Sequence, residues 1–127
     1  MLTTRVLVVE DQAYLRDIIV DTLDRFGYPA VGIADPHEAL AQAASVEPEL
    51  IVLDMWMPAM SGRAFIDRLR DDPRCTDLPV LVVSGDSDVA FEGPGYRRVD
   101  FLLKPFEAST LVDRTRALIG PPLTASA

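Results

Sequence analysis

Five side chains able to do chemistry each stand directly after a short apolar run. Glu10 and Asp11 follow Val6–Val9, Asp54 follows Leu50–Leu53, Ser84 follows Val80–Val83, and Lys104, with Pro105 next, follows Val99–Leu103. If these runs are neighbouring strands, three carboxylates, a hydroxyl and an ammonium share one edge. Three carboxylates brought together repel one another, and one takes a proton unless a cation relieves them. Hard oxygen ligands suit Mg2+, which uses one or two carboxylates and keeps several waters. A carboxylate can also attack phosphorus to give an acyl phosphate, with a metal and an ammonium offsetting the charge of the transferring group. Asp54 is the expected nucleophile, because it ends the central strand with its partners on the flanking ones. Each residue alone has a plainer reading. Asp11 could cap a helix, Asp54 could open the turn before Pro58, Ser84 is an ordinary residue after a strand, and Lys104 could be a solvated charge. All of them together, at successive strand ends, argue for a site.

The elements that must position them are legible in the periodicity. None of the four runs alternates cleanly with polar residues, and a weaker fifth covers Ala30–Ile33. Continuous apolar runs of this length suit strands buried on both faces of a parallel sheet. Between them lie helical patterns. Leu15, Ile18, Ile19, Thr22, Leu23 and Phe26 keep the spacing of one buried stripe, and Gly27 follows as a helix stop. Pro36 to Ser45 is alanine-rich, with Asp35 as N-cap and Pro36 at the first position. Ala64 to Leu69 has Ser61 as its cap; Glu107 to Ile119 carries Leu111, Thr115 and Leu118 on one face and stops at Gly120-Pro121-Pro122. The alternation predicts an α/β fold of right-handed βαβ units, a doubly wound parallel sheet. In such sheets the ligand lies outside the carboxyl ends of the strands at the switch point. One domain is expected over residues 1–119, with 120–127 a tail or the start of a linker.

Composition narrows the function classes. At 127 residues, 49% apolar and 25% charged, the chain reads as one globular domain that needs no disulfide or metal to fold. Twenty acidic residues against twelve basic ones give a net charge of −8. That argues against sequence-independent nucleic-acid binding and against an anionic membrane surface. Cys75 is the one cysteine, so no intramolecular disulfide forms, which fits a reducing compartment. No run approaches the ~20 apolar residues of a membrane span. Met1–Arg5 leads into the first apolar run without the form of a signal peptide. The expectation is a soluble, cytoplasmic protein.

From about Arg5 to Leu118 the sequence resembles the receiver domain of bacterial two-component response regulators. The pieces that carry the resemblance are Val6-Leu7-Val8-Val9-Glu10-Asp11, Leu53-Asp54-Met55-Trp56-Met57-Pro58 with Gly62, Val82-Val83-Ser84-Gly85, and Phe101-Leu102-Leu103-Lys104-Pro105-Phe106. The resemblance implies a five-stranded sheet in the order 2-1-3-4-5. It implies that Asp54 accepts a phosphoryl group from a phosphohistidine on a sensor histidine kinase or phosphotransfer protein. Glu10, Asp11, Asp54 and the backbone carbonyl of Trp56 would hold Mg2+. Lys104 would pair with the acyl phosphate, and its peptide bond to Pro105 would be cis. Ser84 and Phe101 would be the switch residues of a two-state equilibrium biased by phosphorylation. Such a protein takes up and slowly loses its own phosphoryl group but turns over no outside substrate.

Two features depart from that pattern. Gly93-Pro94-Gly95 leaves room before the last strand for only a short fourth helix, about Asp88 to Glu92, or a loop in its place. In many receivers this helix, the last strand and the last helix form the output face. A homodimer of this chain is therefore expected to use another surface, such as the first and last helices. Trp56 is bulky for its place and could shield an acyl phosphate, whereas Asp86 could position an attacking water. His37, the one histidine, is expected in solvent, and Cys75 is expected to be a plain loop residue.

Rival readings are weaker. A flavin site after the first strand would need a loop of backbone donors, where Glu10-Asp11-Gln12 stands. An aspartyl-phosphate phosphatase would need an acid where Trp56 stands, and no G-x-x-x-x-G-K-[ST] motif is present. The remaining alternative is a receiver-like adaptor that works without phosphorylation.

Overall fold

In the computed structural model, which describes residues 4–85 and 97–122, every apolar run becomes a parallel strand. These are β1 (Val6–Val9), β2 (Ala30–Ile33), β3 (Leu50–Asp54), β4 (Val80–Ser84) and β5 (Val99–Leu103), in the expected order β2-β1-β3-β4-β5. β1, β3 and β4 are buried along their whole length, which is why their sequences do not alternate. The edge strands β2 and β5 are partly exposed. β1 pairs with β2 on one side and with β3 on the other, so the switch point lies between β1 and β3.

Four α-helices stand among the described residues: α1 (Ala13–Arg25), α2 (Pro36–Val46), α3 (Gly62–Asp71) and α4 (Ala108–Ile119). On one sheet face Val6, Val8, Leu50, Val52, Leu81 and Val83 pack with Ile19 and Leu23 of α1 and Leu111 and Val112 of α4. On the other, Leu7, Val9, Ile51, Leu53, Val80 and Val82 meet Ala39 and Ala43 of α2 and Phe65, Ile66 and Leu69 of α3. Each fully buried large side chain contributes roughly 1.5–3 kcal/mol of apolar burial. The expected caps form: the Asp35 carboxylate accepts from the His37 N–H at 2.9 Å and the Ser61 hydroxyl from the Ala64 N–H at 3.1 Å. Gly27 follows α1 at φ +92°, a conformation that costs a side-chain-bearing residue.

Two expectations are corrected. The buried stripe of α1 is narrower than the periodicity suggests: Ile18 and Phe26 are exposed, at 40% and 47%. Ile18 lies about 100° around the helix from the buried Ile19. Phe26 is the C-cap, with φ −94° and ψ 12°, so the helical rotation has ended before it. Cys75 is not a plain loop residue. It closes a short 3-10 turn, Pro73–Cys75, and is buried in the core beside α3. His37 is exposed, as expected.

At the end of the sheet opposite the strand C-termini, Arg5 is buried. Its guanidinium pairs with Glu49, donates to the Ile119 carbonyl at 3.3 Å and the Pro121 carbonyl at 3.4 Å, and lies over the Tyr28 ring. The Tyr28 hydroxyl donates to the Gly120 carbonyl at 2.8 Å. These contacts fix the chain where it leaves α4. The expected Asp88–Glu92 helix, Asp86, Gly93-Pro94-Gly95 and the tail Leu123–Ala127 lie outside the described residues.

Candidate functional site

Register brings the strand C-termini level. Val9 pairs with Leu53, Asp54 with Val83, and Ser84 with Leu103, so the residues that follow share one edge. Glu10 continues β1, and its N–H donates to the Ile33 carbonyl of β2 at 3.1 Å. The residue is only 1% exposed. Oε2 accepts from the Gln12 N–H at 3.2 Å, while Oε1 is buried without a hydrogen-bond partner among the described residues. Asp54 ends β3 and is 7% exposed; its Oδ1 accepts from the Trp56 N–H at 3.4 Å. Asp11 is exposed and does not cap α1, whose N-cap is Gln12 with no side-chain bond.

Glu10, Asp11 and Asp54 each offer a carboxylate oxygen, and the three oxygens lie within 4.8 Å of one another. Lys104 reaches in from beyond β5, with Nζ at 3.5 Å from Asp54 Oδ1 and 3.7 Å from Glu10 Oε1. Its backbone N–H donates to the Ser84 carbonyl at 2.7 Å, and the Lys104–Pro105 peptide is cis. Ser84 is buried at the end of β4. Phe101 is half-buried against the α2–α3 side of the sheet. Its carbonyl accepts from Arg114 Nη1 at 2.8 Å, and that guanidinium also pairs with Asp100 at 3.1 Å.

The electrostatics follow from this crowding. Burial pushes the Glu10 carboxyl up to about 7, with the neighbouring Asp54 and Asp11 carboxylates acting in the same direction. The Gln12 N–H and the Lys104 ammonium oppose the shift. One ammonium thus faces three carboxylates, and the group retains net negative charge when all are ionised. That is a site prepared for a cation.

Phe101 lies within β5, paired with Val82 short of this edge, while Glu10, Asp11, Asp54, Ser84 and Lys104 come to it. Trp56 does so through its backbone, while its side chain is 59% exposed. Sequence reasoning missed Arg16. Its Nη1 donates to the Glu10 carbonyl at 2.8 Å and to the Asp11 carbonyl at 3.4 Å. No residue pattern announces a side chain that turns back onto the loop before its own helix.

A doubly wound parallel sheet with an acidic, lysine-paired cluster at its switch point defines a class of α/β protein that binds its ligand outside the carboxyl ends of the strands. The chain belongs to the response regulator receiver domain family, whose model matches residues 6–116. It is 32% identical over 117 residues to the DNA-binding dual master transcriptional regulator RpaA of Synechocystis, covering 91% of this chain and 48% of that one. It is 30% identical over 121 residues to the phosphate regulon transcriptional regulatory protein PhoB of Pseudomonas aeruginosa, covering 94% and 53%. Among solved structures, the chemotaxis protein CheY4 of Vibrio cholerae matches with a TM-score of 0.84 at 28% identity, covering 92% of this chain and 99% of CheY4. The chain spans about half the length of the curated relatives it matches. Receiver domains are signalling switches of two-component systems that partner with histidine kinases or phosphotransfer proteins. Among the described residues no helix is long and apolar enough to cross a membrane.

Proposed function

We propose that this chain is a phosphorylation-dependent switch whose phosphoryl acceptor is Asp54. The observation that carries the reading is the Asp54 carboxylate at the end of β3, grouped with two further carboxylates and 3.5 Å from the Lys104 ammonium. The residues fit a divalent cation. The Glu10 Oε1 atom is buried with no hydrogen-bond partner among the described residues, and the donors are hard oxygens. Glu10, Asp11, Asp54 and the Trp56 carbonyl are the groups that would hold Mg2+. Bound there, the ion would neutralise carboxylate repulsion and part of the phosphoryl charge.

The chain's own residues account for the rest. An Asp54 carboxylate oxygen attacks the phosphorus of a phosphohistidine on a kinase or phosphotransfer protein. The P–O bond forms as the P–N bond breaks, and the imidazole leaves with the electron pair. Lys104, already paired with Asp54, moves to a phosphoryl oxygen, and the Ser84 hydroxyl donates to another. Phe101, half-buried on the neighbouring strand, follows that change, and the two positions together bias a two-state surface read by a partner or output domain. The chain acts in the cytoplasm and turns over no outside substrate.

The test is amide NMR of the protein with Mg2+ before and after a small acyl-phosphate donor is added. Large shifts at Ser84 and Phe101 that are absent in Asp54→Asn are expected. Shifts confined to residues next to Asp54 would contradict the switch.

A further inference from the structure

The loop between β1 and α1 carries Glu10 and Asp11, and its backbone is held from two directions. The Glu10 N–H is bound to Ile33 of β2 at 3.1 Å. The Glu10 carbonyl, on the other side of the same residue, is bound by Arg16 of α1 at 2.8 Å, and the Asp11 carbonyl by the same nitrogen at 3.4 Å. Arg16 can reach back only because its stem crosses β2 at Gly32. A Cβ added at Gly32 would lie 2.7 Å from Arg16 Cγ and 2.9 Å from Cδ, closer than side-chain carbons pack. These are mid-chain atoms, which cannot swing aside while the guanidinium stays on the loop.

We infer that Arg16 and Gly32 form a positioning pair: Arg16 locks the backbone of the acidic loop and so fixes the Glu10 and Asp11 carboxylates, and Gly32 is the gap that admits it. Arg16 is a positioning residue, since it touches main-chain oxygens and none of the carboxylates. With both the N–H and the carbonyl of Glu10 tied down, its side chain leaves the backbone in one direction, toward Lys104 and Asp54. The bond from the Gln12 N–H to Glu10 Oε2 then reports whether the carboxylate is in place. Outer groups that orient ligands typically change metal affinity by roughly 10–100-fold. For a clamp acting through the backbone the lower end, about tenfold, is expected.

This inference rests on the proposed metal site in one arm of its test and is independent of it in the other. The first arm is hydrogen exchange of metal-free protein. In Arg16→Met the Gln12 amide should exchange about tenfold faster while core amides of β3 are unchanged. Gly32→Ala should do the same, and Arg16→Met/Gly32→Ala should be no worse than Arg16→Met alone, because the two changes disable one device. Arg16→Lys should restore part of the protection. The second arm is Mg2+ titration followed by the fluorescence of Trp56, the one tryptophan, in which both single variants should bind about tenfold more weakly. Unchanged Gln12 exchange in Arg16→Met, or effects of the two changes that simply add, would overturn the clamp. Wild-type protein that shows no Mg2+ response would overturn the metal reading, while the exchange arm would still decide the clamp.

Discussion

Glu10 sets the behaviour of the site toward protons. Its carboxyl is pushed up to about 7 in the folded chain from an ordinary 4.5, chiefly by burial. Between those values the folded state therefore binds more protons than the unfolded state. Metal-free protein should lose stability as pH rises from about 5 to about 7.5, by on the order of 1–3 kcal/mol at about 1.4 kcal/mol per unit. Mg2+ should reverse that loss, because it binds the ionised group in the folded state only. Calorimetry across this pH range checks both signs, and Glu10→Gln should flatten the profile. The same competition makes Mg2+ affinity fall as pH drops through about 7. Lys104→Met removes a charge that holds the Glu10 carboxyl down, so the midpoint of that fall should move upward. An unmoved midpoint in a titration of Mg2+ affinity against pH would show that Lys104 does not reach Glu10.

At the scale of elements, capping and register place the site. Ser61 caps α3, and the Gly62 N–H bonds the Met55 carbonyl at 2.8 Å, so the start of α3 is tied to the loop after Asp54. Ser61→Ala should cost about 1 kcal/mol in denaturant unfolding. Because the Gly62–Met55 bond survives, Mg2+ affinity should stay within a factor of about two, a free-energy change of only ~0.4 kcal/mol. A large loss of affinity would mean that the cap itself sets the loop. Most elements were legible because their signals are local: apolar runs, Asp35 and Ser61 as caps, Gly27 as a stop. The α1 face was overread because a 3.6-residue period does not say how wide a stripe the sheet covers. Cys75 was misjudged because burial within a 3-10 turn is set by α3 and the sheet, not by its neighbours in sequence.

Across the whole molecule, the acidic edge and the Arg5 cluster occupy opposite ends of the sheet. Arg5 joins the start of β1 to Glu49 and to the carbonyls after α4, so both ends of the described chain are bound at one place. Arg5→Met should destabilise the fold by roughly 1–3 kcal/mol, since Glu49 is partly exposed and can rehydrate. It should leave Mg2+ binding intact. Equal losses of stability and affinity, read by unfolding and titration on one sample, would show that the two ends are coupled. The candidate site was legible from the sequence because βαβ order alone places Glu10, Asp11, Asp54, Ser84 and Lys104 on one edge. The Arg5 cluster and the Arg16 clamp were not, because each joins residues or main-chain atoms that no sequence period connects.

The central claim is that Asp54 is a metal-dependent phosphoryl acceptor, and intact mass tests it most directly. The protein is incubated with Mg2+ and a small acyl-phosphate donor, beside Asp54→Asn and a sample with chelator. One phosphoryl adduct that needs Mg2+ and vanishes in Asp54→Asn is the expected result. An adduct that survives the substitution, or none even with a phosphorylated histidine kinase as donor, would contradict the account and favour an adaptor that works unmodified.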